Sequence, residues 1–98
     1  FVAPTASASC GATGCDGVVQ RYYVDTGGVW VDIDGNETAL SPCTAVAGRY
    51  IRLEKAYAAY TEAAALLLTA HAQGKPVSIT VVQSSGDCKV AYVLSDRP

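Results

Sequence analysis

Charge is scarce in this chain. Only 16% of its 98 residues are charged while half are hydrophobic, a balance that excludes an intrinsically disordered segment, which cannot bury enough apolar surface to order itself. The formal net charge is −2, so there is no basic footprint and nucleic-acid binding is not expected. Long apolar runs are missing as well. The longest, Ala63 to Leu68, falls far short of a bilayer span, and no membrane insertion is expected. Histidine occurs once, as His71, with no nucleophile and orienting carboxylate set beside it in a recognisable pattern, and no Gly-x-Ser-x-Gly elbow is present. Catalytic residues are therefore not expected, and neither is a cofactor.

The 4 cysteines, Cys10, Cys15, Cys43 and Cys88, include no C-x-x-C pair. Zinc sites need ligands in short paired spacings, so no metal is expected and the cysteines read as disulfides. Three pairings are open to four cysteines. Cys43–Cys88, closing a long loop, with Cys10–Cys15 local to the N-terminus is favoured. A cross-link across a loop of tens of residues contributes roughly 3–4 kcal/mol, comparable to the net stability of a weak small domain. Disulfides imply an oxidising compartment, secreted or periplasmic. The opening segment agrees: Ala6-Ser7-Ala8 has the small-x-small form of a signal-peptidase site. Residues 1–14 read as a leader remnant or N-terminal arm, and 15–98 as a single domain.

Along that domain, Val18 to Val24 is β-branched and aromatic, with Val18, Tyr22 and Val24 on one face. Asp25-Thr26-Gly27-Gly28 is a turn into Val29 to Ile33, and the two runs read as a hairpin. Val29, Val31 and Ile33 point to the core, while Trp30, Asp32 and Asp34 point away. Thr38 to Leu40 reads as a short edge strand and Gly48 to Leu53 as a third main strand. From about Glu54 to Gln73 the chain is dense in alanine and leucine, with Gly74 and Pro76 as stop signals, which predicts a helix. Val77 to Val82 and Lys89 to Leu94 complete the strands. The Asp32-to-Glu37 carboxylate cluster lacks the EF-hand order and reads as a turn.

On the helix, Tyr57, Tyr60, Ala64, Leu67, Leu68 and His71 form the expected buried stripe. The opposite side, with Ala59, Glu62, Leu66 and Thr69, is small and weakly polar, which suits a helix-mediated homo-oligomer. Trp30 with Asp32, joined across the hairpin by Tyr23 and Arg21, offers a flat apolar platform with hydrogen-bonding neighbours, the combination a sugar requires.

Three strands, a helix and two strands is the element order of the OB-fold. The stretch Ala63-Ala-Ala-Leu-Leu-Leu-Thr-Ala-His-Ala-Gln-Gly-Lys-Pro-Val-Ser-Ile-Thr-Val81 resembles the long helix, glycine stop and following strand of the small B subunits of bacterial AB-type toxins, pertussis-like and subtilase-cytotoxin-like. Cys15-Asp-Gly17-Val-Val and Gly86-Asp-Cys88-Lys-Val are similar to segments of small exported bacterial proteins. The resemblance implies a disulfide-stabilised α+β fold, a five-stranded OB-like barrel with one helix between strands three and four. It also implies a homo-oligomer, a pentamer in that family, and a glycan ligand on one outer face. No family motif maps residue by residue onto this chain, so no functional residue is carried over. The expected function is an exported, non-catalytic module that recognises a glycan. The alternatives are a structural or protein-interaction subunit, or an inhibitor in an exported complex, binding a protein surface.

Overall fold

The computed structural model describes residues 9–84 and 86–95. Its elements are β1 (Ser9–Cys10), β2 (Gly14–Asp25), β3 (Gly28–Ile33), a single 3-10 turn over Glu37–Ala39, β4 (Ile51–Glu54), α1 (Tyr60–Gln73), β5 (Pro76–Val81) and β6 (Val90–Leu94). All strand ladders are antiparallel, in the order β4-β3-β2-β5-β6, with β1 beside β2.

β2 is long because it serves two ladders. Its first part, residues 14–18, pairs with β5, and residues 19–25 pair with β3. Near the start of the second part, after Val19, Gln20 bulges out of register. A bulge bends the strand and shifts which side chains face inward. Before it Cys15, Gly17 and Val19 are buried; beyond it Tyr22 sits opposite the core residue Val31. The expected face of Val18, Tyr22 and Val24 is corrected: before the bulge Val19 takes the core position in place of Val18, while Val24, on Tyr22's side but near the end of the strand, is 61% exposed.

The expected five-stranded closed barrel is also corrected. The sheet has six strands and is not closed. Its edge strands β4 and β6 meet at one isolated parallel bridge, Arg52 to Lys89, where the Arg52 N–H donates to the Cys88 carbonyl at 2.9 Å. Beyond that point β6 itself bulges at Ala91, and the Tyr57 hydroxyl donates to the Ala91 carbonyl at 2.6 Å. A side chain thus takes a backbone acceptor where closure would have needed another strand. Thr38 to Leu40, expected as an edge strand, lies at the 3-10 turn.

The helix starts at Tyr60 rather than near Glu54. Ladder pairing of Glu54 with Gly28 holds that residue in β4 despite the alanine-rich sequence after it, a tertiary override of propensity. The stop falls where the sequence places it. Gly74 adopts φ 65°, and the Lys75 N–H donates to the Ala70 carbonyl at 3.0 Å, the Schellman arrangement. The buried face is Ala63, Leu67 and Ala70, whose small alanines bring the helix axis close to the sheet. Leu68, placed by the sequence in the buried stripe, is 49% exposed.

Both disulfides pair as expected, Cys10–Cys15 and Cys43–Cys88. The second lies within the core, and beside it Thr44 bridges Asp87 in parallel. Of the expected arm, residues 1–8, including Ala6-Ser7-Ala8, lie outside the described residues. The remainder is bonded to the domain: Thr13 O accepts from the Val81 N–H at 2.9 Å and Ala12 O from Ser41 N–H at 3.1 Å. Among the described residues no helix is long and apolar enough to cross a membrane.

Candidate functional site

The outer face of β2, β3 and β4 carries the chemistry that the core cannot use. Register sets Tyr23, Trp30 and Arg52 in one row across the three strands. Cross-strand neighbours stand close enough for their side chains to interact directly. Tyr23 and Trp30 stack with ring centroids 6.0 Å apart and planes 12° apart. On the other side of the indole the Arg52 guanidinium carbon lies 5.2 Å from the ring centroid, a cation–π contact. The row continues beyond Tyr23 to Tyr50, whose ring meets it edge-on at 5.4 Å.

The hairpin turn locks this row. Asp25 accepts from the Gly27 N–H at 2.8 Å with one carboxylate oxygen and from the Trp30 indole N–H at 2.9 Å with the other. An aspartate placed to make the turn therefore also fixes the indole rotamer. Arg21 donates to the Tyr50 hydroxyl at 3.2 Å, and Arg49 lies 5.5 Å over the Tyr50 ring. Of the residues expected from sequence, Arg21, Tyr23 and Trp30 are thus brought together on one surface. Trp30 has a neighbour on each side, so it is not the free flat platform expected.

Asp32 departs from its expected role. It is only 5% exposed and offers no free acceptor to a ligand. Arg49 donates to one of its oxygens from Nη2 at 2.7 Å and from Nε at 3.1 Å, and Glu37 is hydrogen-bonded to it. The 3-10 turn folds Glu37 back under the end of β3, where its carboxylate also accepts from the Ile33 N–H at 3.1 Å. Burial, followed by the hydrogen bond to Asp32, pushes the Glu37 carboxyl up to about 7. The same Asp32 carboxylate raises the Arg49 guanidinium above its ordinary value. This is a buried carboxyl pair with an arginine lid, set directly beneath the Tyr50 end of the row.

The other expectations fall elsewhere. Glu62 and Thr69 are exposed on α1, while Ala59 and Leu66 are half-buried. Asp34 accepts from the Val18 N–H at 2.8 Å and serves the turn. His71 donates from Nδ1 to the Val19 carbonyl at 2.7 Å, so it ties the helix to β2 at the bulge. Among the described residues no group of three or more histidine, cysteine, aspartate or glutamate side chains is placed to hold a metal.

Tyr50, Arg52, Arg49 and Asp25 were not expected as site residues from the sequence, and Glu37 was noted only within the Asp32-to-Glu37 carboxylate cluster, read as a turn. Tyr50 and Arg52 carried a usable signal, because alternation in the third main strand puts both on its outward face. For Glu37 the carboxylate cluster was the signal, but its burial depends on how a loop folds back.

No protein-family model, curated protein or solved structure matches the chain. The resemblance to toxin B subunits therefore rests on the texture of residues 63–81 and on element order.

Proposed function

We propose that this chain is an exported, non-catalytic binding module that recognises a glycan on the outer face of β2, β3 and β4. The row Arg52, Trp30, Tyr23 and Tyr50, locked by Asp25, is the observation that carries the reading. The Asp25 bond and the cross-strand contacts hold the row in place, a preorganisation that lowers the entropic cost of binding. The two disulfides support an oxidising compartment. The strand order, the helix between β4 and β5 and the parallel bridge from β4 to β6 support describing the sheet as an OB-like barrel left unclosed. A glycan array run with the intact chain and with Trp30→Ala tests the function. Selective binding that the variant loses is the expected result; an array silent for both proteins removes the glycan reading.

A second reading is favoured by a different surface. A groove of about 170 Å³ runs between α1 and β6, lined by Tyr57, Ala59, Glu62, Leu66, Tyr92 and Val93. Tyr92 is 56% exposed and, further along β6, Leu94 is 46% exposed. Exposed apolar side chains beside a groove suit a protein contact, either with further copies of this chain through the Ala59, Glu62 and Leu66 side of the helix or with another exported protein. Light scattering separates these two: a monomer at micromolar concentration removes the homo-oligomer.

A further inference from the structure

The glycan reading leaves open what kind of saccharide the face would take, and the neighbours of Trp30 narrow it. A neutral sugar binds an aromatic chiefly by laying its C–H face on the ring. Here the indole has Arg52 on one side and Tyr23 on the other, which leaves less of the ring free for that mode. What remains outward is donor-rich: guanidinium N–H groups and tyrosine hydroxyls. Among the described residues the ion pairs are Arg49–Asp32 and Lys89–Glu54, so Arg21 and Arg52 belong to neither. The Asp25 carboxylate is already held by two N–H donors. The Arg52 Nε is enclosed with no hydrogen-bond acceptor.

The spacing of these two guanidiniums adds a second constraint. Arg52 stands opposite Trp30 in β4, and Arg21 stands opposite Asp32 in β2, with β3 between. Two strand spacings across and two residues along place their Cα atoms on the order of 12 Å apart. A linear chain with an acid on successive or alternate sugars can reach both.

We propose that the ligand is a linear acidic polysaccharide, lying obliquely across β2, β3 and β4, with one anionic group at Arg52 and another at Arg21. This rests on the glycan reading above and names its substrate class. Carboxylate and sulfate are both planar or tripodal acceptors that a guanidinium fork can hold with paired hydrogen bonds. The tyrosine hydroxyls of Tyr23 and Tyr50 face the sugar hydroxyls between the two acids.

Trp30, the only tryptophan of the chain, lies between the two arginines and reports the event. Its fluorescence is titrated with heparin oligosaccharides (sulfate and carboxylate), hyaluronan oligosaccharides (carboxylate alone) and neutral cello-oligosaccharides. Poly-glutamate and a thymidine oligonucleotide serve as polyanion controls. Saturable binding to heparin or hyaluronan is expected, weakened by added salt, and the pair of results assigns sulfate or carboxylate. Arg21→Gln and Arg52→Gln should each weaken it about tenfold or more. Arg52→Lys should restore only part of the loss, and Lys75→Gln at the far end of α1 should change nothing. Binding of neutral sugars as strongly as acidic ones overturns this inference and leaves the glycan reading standing. Equal binding of poly-glutamate or the oligonucleotide, or indifference to both arginine variants, overturns it too. Failure of every saccharide overturns both.

Discussion

The Glu37 carboxyl is hydrogen-bonded to that of Asp32 at the end of β3, and Arg49 closes over Asp32 at 2.7 Å. Two carboxyl groups in one enclosed site cannot both ionise at low cost. One guanidinium is available to them, and it binds Asp32. Glu37 therefore keeps its proton to about pH 7.

That proton makes stability depend on pH. The ordinary Glu37 value is 4.5 and burial raises it to about 7, so the folded chain holds the proton more tightly than the unfolded chain does. The stabilising effect is complete below pH 4.5 and is lost as the pH rises through about 7. Across this window the chain should lose up to about 3 kcal/mol. Glu37→Gln keeps an oxygen for the Ile33 N–H and removes the titration, so its stability should stay level. Urea midpoints measured between about pH 5 and about pH 8 check this; a native profile that rises with pH would contradict it.

The two disulfides should contribute unequally. Cys43 and Cys88 are 45 residues apart and Cys10 and Cys15 only 5. Loop-closure entropy then gives about 4 kcal/mol for the first bridge and about 2 kcal/mol for the second. Removing both sulfurs of each bridge as alanine pairs, and comparing denaturation midpoints, tests the ordering. Equal losses would show that chain entropy does not set the balance.

Gly28 should tolerate no side chain. It has φ +138°, and a Cβ there would sit 2.1 Å from the Leu53 carbonyl oxygen. Gly28→Ala must push β4 away from β3 and is expected to cost more than about 2 kcal/mol. Because Trp30 and Arg52 face each other across the same ladder, its fluorescence should shift as well. Gly11→Ala, which meets nothing within 4 Å, is the neutral control. A silent Gly28→Ala would mean the two strands do not approach this closely.

His71 should act as a fastener rather than a base. Its bond to Val19 O at 2.7 Å spans 52 residues and supplies a donor to a carbonyl beside the bulge. His71→Phe keeps the ring against Tyr22, which it stacks on at 6.2 Å, but removes the donor. The expected cost is about 1–2 kcal/mol, with faster amide exchange around Val19 and Gln20. An unchanged exchange pattern would show that the bond is not formed in solution.

The strands around the site were legible to different degrees. The hairpin β2–β3 was visible in its alternation and in Asp25-Thr26-Gly27-Gly28, so Tyr23 and Trp30 could be set side by side. Alternation runs through Gln20 without a mark, however, and the bulge there put Val19 rather than Val18 into the core. Asp32 was read as outward by the same parity rule. Its direction was correct relative to Val31 and Ile33, but a loop folded over it and buried it.

What the amino-acid sequence determined by itself is local or combinatorial. It comprises the alanine and leucine helix with its glycine stop, the alternating strands, and a cysteine set with the spacing of bridges rather than of a metal site. Each follows from backbone preference or from chain distance, which neighbours in sequence decide. Only the tertiary structure decided that the sheet stays open and that Glu37 shares a buried site with Asp32. It alone set Arg52 and Tyr23 on either side of Trp30. Those outcomes depend on which strand edges and loops meet after the chain has folded back. Desolvation and cross-strand contact then act between residues that no local pattern links.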